Sequence, residues 1–183
     1  MTWLDALPIV LVIVYAGLEF FGGLLHRVIG LIALYLAFVG ATNMGLQAGV
    51  LLQQSSSLEI SDARIYGFFG IVFAVIVIVE AAAQLASSQI QVGALVFNRA
   101  LGVIVGVLTA IILSVLITNE LIAAGTPFGG GALDQLQQSI RDAVQGSHIG
   151  VPLTHAIGKP IVTIFGLALP ADPQIYFSQS PVS

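Results

Sequence analysis

Four apolar runs, each close to the length a helix needs to cross a bilayer, constrain this chain more than any motif in it. A spanning helix takes about 20 mainly apolar residues, at 1.5 Å rise each, to traverse about 30 Å of hydrocarbon. Residues 4–25, 28–45, 65–85 and 101–122 fit that requirement. Composition agrees: 57% of the 183 residues are hydrophobic and 8% charged, with a mean hydropathy of +1.04, whereas a soluble domain carries about 25% charge. The sequence therefore predicts an all-α polytopic membrane protein. Its four-helix transmembrane domain, arranged as two hairpins, occupies 1–122, and an extramembrane or interfacial segment occupies 123–183.

Charge and cysteine content exclude several function classes. Nine acidic residues against five basic ones leave the chain at −4, so it has no surface suited to tracking phosphates and nucleic acid is not expected as a partner. The absence of cysteine removes disulfides, cysteine-ligated zinc and thiol chemistry. No basic residue precedes the first apolar run, and the polar break at His26-Arg27 leads directly into the second, so that run reads as a retained span rather than a cleaved signal peptide. Arg27 and Arg99 fall in the two odd-to-even connections, and the positive-inside rule assigns their face to the cytoplasm; Arg64 stands on the other side. Both termini are then extracytoplasmic.

The stretch "HRVIGLI" at 26–32 has an echo in "NRALGVI" at 98–104, each placing an arginine three residues before a glycine where a return helix begins. Duplication of a hairpin and coincidence within a small apolar alphabet both account for this. Gly102, Gly106, Ala110 and Ser114 recur every four residues and share one helix face, as do Ala33, Ala37, Ala41 and Gly45. Such smooth faces let backbones approach closely in lipid. They suit internal packing of the two return helices, or self-association or an external membrane subunit.

Trp3-Leu-Asp5, the first hairpin ending Gly23-x-x-His26-Arg27, and Asn98-Arg-x-Leu-Gly102-x-x-x-Gly106 opening the last helix together resemble the colicin V production protein (CvpA) family over about residues 1–122. In that family the last helix usually opens with Asp-Arg, where Asn98-Arg99 stands here. The resemblance implies a multi-pass protein of the bacterial cytoplasmic (inner) membrane, linked to bacteriocin production and envelope phenotypes.

Ionisable residues inside spans each carry an insertion penalty of roughly 2.5 to 3.5 kcal/mol at the bilayer centre. Glu19 and Glu80 sit in the cytoplasmic halves of the first and third spans, on the side of His26, Arg27 and Arg99, and Glu19 and His26 share a face two turns apart. One reading pairs the carboxylates with Arg27, Arg99 or Gln84 to fix how the helices meet. The other makes Glu19, Glu80 and His26 a proton or ion relay. His26 as a pigment or metal ligand is the weaker alternative, since a lone interfacial histidine is more often a satisfied polar residue; no metal and no cofactor is expected.

Beyond residue 122 the character changes. Gly125-Thr-Pro-Phe-Gly-Gly-Gly131 reads as a loop. A short amphipathic helix over about 132–145 follows, with Leu133, Leu136, Ile140 and Val144 at helical spacing, Asp134 near its start and Gly146 as its stop. Prolines at 152, 160 and 170 argue against a fifth span over 150–170 and favour an interfacial or re-entrant segment. Residues 172–183 read as an exposed, irregular tail. Enzyme signatures are absent and no catalytic residue is assigned; His148 and His155 read as surface polar groups. The sequence supports a non-catalytic membrane scaffold or accessory subunit that contacts lipid and other membrane chains. A small transporter or channel component is the alternative.

Overall fold

A computed structural model describes residues 1–87, 95–129 and 132–178, with the side chains of 19–26, 84, 86–87 and 95–96 outside the described set. Six helices follow in order: α1 (Trp3–Ser55), α2 (Ile60–Ser87), α3 (Leu95–Ala124), α4 (Gln135–Gln145), α5 (Gly150–Phe165) and α6 (Pro173–Tyr176). Among the described residues there is no strand. Three helices are long and apolar enough to cross a membrane: Arg27–Ser55, Ile60–Ala83 and Phe97–Ala124. Among the described residues the protein is thus all-helical with three candidate spans.

The first two predicted spans are one element. The backbone stays helical through the expected connection at His26-Arg27, but α1 is not straight. Residues 15 and 27 would lie ~18 Å apart along an unbent helix, further than two side chains can bridge, yet the Arg27 guanidinium carbon is 4.5 Å from the centre of the Tyr15 ring. Asp5 binds the first turn of α5, and Thr42 Oγ1 donates to the Ala168 carbonyl just past its end (2.7 Å). α5 covers ~24 Å, whereas a straight α1 would hold residues 5 and 42 ~55 Å apart. The helix therefore turns sharply between Tyr15 and Arg27, where the adjacent glycines Gly22 and Gly23 are the available weak point.

α1 also continues to Ser55, well past the predicted end at Gly45, because Gly45 and Gly49 serve the packing rather than a helix stop. A Cβ on Gly67 of α2 would stand 2.7 Å from both the Gly45 carbonyl and the Gly49 amide. At this crossing only hydrogen fits, so the backbones of α1 and α2 touch. α2 runs antiparallel to the second arm of α1, with Arg64 beside Gly49 at one end and Glu80 beside Arg27 at the other. α2 and α3, consecutive in the chain, each pack on α1 rather than along one another, so the predicted second hairpin is not a packed pair among the described residues.

The C-terminal segment folds back over one end of the bundle, here the tail end. Asp134 caps α4, accepting from the Gln137 amide (3.0 Å), and Gly146 ends it. α4 then docks through Gln137, Ile140 and Ala143, with Thr2 Oγ1 donating to the Ala143 carbonyl (3.1 Å). The stretch read as an interfacial or re-entrant segment contains a helix. Pro152 falls in its first turn, where an N–H is not needed, and Pro160 is accommodated in its interior. α5 starts against Leu4, reaches Val115 through Gly158 and Tyr35 through Phe165 (ring centroids 5.6 Å apart), and the chain then returns to Thr42.

The expected exposed tail over 172–183 is corrected at Tyr176, Phe177 and Ser178, which are buried, while Asp172 and Gln174 are exposed and residues 179–183 lie outside the described residues. Two aromatic side chains inside a run of serine, proline and glutamine supply the apolar area that holds it in place. Phe177 meets Phe68 edge-on (5.4 Å) and stacks on Phe69 (6.3 Å), and Tyr176 lies edge-on to Phe68 (5.6 Å).

Candidate functional site

Among the described residues, the buried charged side chains lie toward the two ends of the bundle, while Thr109 and Ser114 are buried midway along α3. At the end away from the tail, Arg27 is completely buried and its Nη2 donates to Glu80 Oε1 at 2.7 Å. The guanidinium also lies over the Tyr15 ring. Gly30, one turn further along α1, explains the arginine-to-glycine spacing. A Cβ there would collide with the Arg27 guanidinium and lie 3.0 Å from Glu80 Oε1. The glycine leaves the volume in which the ion pair forms.

Of the other sequence candidates, Arg99 lies exposed on α3 within the helix rather than before it, and it has interactions of its own. The side chains of Glu19 and His26 lie outside the described residues, so a relay through them has no geometry here. Both small-residue faces turn inward: Gly102, Gly106, Ala110 and Ser114 on α3, and Ala33, Ala37, Ala41 and Gly45 on α1, are all buried. α1 and α3 pack along each other. Larger apolar side chains such as Ile32, Leu36, Phe73, Val77, Ile104 and Leu108 face outward.

Three features at the tail end were not read from the sequence. Asp5 is buried and gathers the start of α5: its Oδ1 accepts from Ser147 Oγ (2.6 Å) and from the amides of His148 and Ile149 (both 2.9 Å), while Oδ2 accepts from the Thr2 amide (3.0 Å). A carboxylate supplied by α1 thereby caps a distant helix and meets the positive end of its dipole. Second, the tail is hydrogen-bonded to three helices: Tyr176 Oη donates to the Ala41 carbonyl of α1 (2.9 Å), and the tail carbonyls of Phe177 and Ser178 accept from Gln137 Nε2 of α4 (3.2 Å) and Arg64 Nη1 of α2. Burial pushes the Tyr176 hydroxyl up to about 12, which keeps it protonated and donating.

Third, Glu120 near the end of α3 is fully buried. Its Oε1 accepts from Asn119 Nδ2 (3.1 Å), and Oε2 has no protein partner. The only sequence signal for it was an acid four residues before a helix end, which resembles an ordinary interfacial residue. Among the described residues no three His, Asp or Glu side chains converge as a metal site.

No family model matches this chain, and no curated protein or solved structure does either. The likeness to the CvpA family accordingly stands on the quoted residues alone. Of these, Asp5 and Arg27 have defined places in the fold, as α5 cap and interior ion-pair partner.

Proposed function

We propose that the chain is a non-catalytic integral membrane scaffold or accessory subunit of the CvpA type, crossing the bacterial inner membrane four times with α1 providing two crossings as a bent pair of arms. The Arg27–Glu80 pair, with its arginine fully buried, carries this reading. The pair joins α1 to α2, and its role there is to fix how the arms meet. The sharp turn between Tyr15 and Arg27 supports the fourth crossing. Thr2 and Ser178 lie at the same end, which supports both termini facing one side, extracytoplasmic by the positive-inside rule.

With the small-residue faces consumed internally, a partner subunit would meet the tail-end surface. There Thr2, Trp3, Gln135, Gln138 and Asp142 line an open recess. Extraction from native membranes in mild detergent, with mass and co-purifying chains measured together, tests the proposal: a stoichiometric assembly with other membrane proteins supports it, and a lone chain or small homo-oligomer contradicts it.

A small transporter or channel component is the second reading, favoured by the unpartnered oxygen of buried Glu120 rather than by Glu80, which is taken up by Arg27. Loss of a reconstituted proton or ion flux in Glu120→Gln, or in Glu19→Gln for the relay with His26, would support it. Flux unchanged in both variants would remove it.

A further inference from the structure

α5 carries a face for which the fold gives no protein partner. Its buried side, through Thr154, Gly158 and Phe165, lies on α3 and α1. On the outer side His155, Lys159 and Thr163 stand at successive four-residue intervals, flanked by Ala156, Pro160, Ile164 and then Leu167, and all are exposed. Ile164 is 73% and Leu167 91% exposed. Because Gly158 abuts Val115 and Phe165 abuts Tyr35, both inside candidate spans, this outer side lies at bilayer depth. A charged side chain there needs compensation by an anion or by water at the membrane surface.

Lys159 is the only lysine in the chain. Side chains on a helix lean toward its N-terminus, so Lys159 leans toward His155 and the tail-end surface, the direction in which a lysine snorkels. Pro160 adds a complementary group. It has no N–H, so the carbonyl of the exposed residue Ala156, between His155 and Lys159, lacks its i+4 helical donor. An ammonium and an imidazole N–H thus stand beside one unmatched acceptor, directly above a strip of proline, isoleucine and leucine.

We propose that this face of α5 binds an anionic phospholipid, with the phosphate at Lys159 and His155, a headgroup hydroxyl at the Ala156 carbonyl, and an acyl chain along Ile164 and Leu167. A second copy of the chain fits less well, since a symmetric contact through this face would bring lysine against lysine.

The test is native mass spectrometry of the full chain released from nanodiscs holding equal phosphatidylglycerol and phosphatidylcholine, with a photo-reactive residue at Thr163 in a parallel sample. Wild type should retain phosphatidylglycerol selectively. Lys159→Gln should weaken that retention about fivefold, the scale of one basic residue at an anionic surface, and Lys159→Arg should preserve it. Equal retention by wild type and Lys159→Gln would overturn the proposal. So would cross-linking from position 163 in native membranes to a protein chain instead of lipid. Neither overturning result bears on how many subunits co-purify.

Discussion

At the scale of single residues, the interior ion pair makes the sharpest demands. Removing one partner of a buried pair strands the other charge, and such changes cost about 3 to 5 kcal/mol, whereas replacing both by apolar groups is often close to neutral. Arg27→Ala should therefore lower thermal stability in detergent strongly, and the double change Arg27→Met with Glu80→Leu should recover most of the loss. Gly30→Ala should act like a weakened Arg27 variant, since its methyl group claims the volume the guanidinium occupies. The spacing of arginine and glycine was legible in the sequence but its purpose was not, because Glu80 is brought to that glycine by another helix. The role of Asp5 as the α5 cap was illegible for the same reason: apart from the nearby Thr2 amide, its hydrogen-bond partners lie more than 140 residues away. Tyr176 gives a pH dependence. Its raised folded value means the stability it lends is complete below the ordinary tyrosine value near 10 and is lost as pH rises from there through about 12. Proteolysis at the tail should accelerate across that alkaline window in wild type, and Tyr176→Phe should lack the step.

At the scale of elements, close backbone approach organises the bundle. Gly67→Val places branched carbon against the Gly45 carbonyl and Gly49 amide and should separate α1 from α2. The expected result is aggregation or loss of a monodisperse species on size-exclusion chromatography, while Gly17→Ala, where a Cβ meets nothing, should be silent. Asp5→Ala withdraws the cap of α5 and should raise amide exchange at 147–150 first, with a stability loss of about 1 to 3 kcal/mol. The length of the apolar runs made the spanning segments readable, and the cap signals at Asp134 and Gly146 made α4 readable. α5 was obscured by its prolines: Pro152 sits in the first turn, where the helix tolerates it, and Pro160 stands in the interior, where packing on α3 and α1 holds the helix despite the lost bond. The join of the first two segments was obscured by Arg27, which looks like a solvated break until Glu80 supplies its partner.

At the scale of the whole molecule, α1 packs along both α2 and α3, and the tail is drawn back as the closure of one end. Burial of Tyr176 and Phe177 in the aromatic cluster around Phe68 makes the final described residues part of the core. The proposed four-span topology requires α1 to cross the membrane twice, and the absence of cysteine permits a direct measurement. Single cysteines placed after Met1, at Ser57→Cys, at Ala100→Cys and at Gln135→Cys can be labelled in sealed vesicles by a membrane-impermeant maleimide. Labelling of the first, second and fourth from one side, and of Ala100→Cys only from the other, is the predicted outcome. Labelling of the N-terminal cysteine and Ser57→Cys from opposite sides would contradict it.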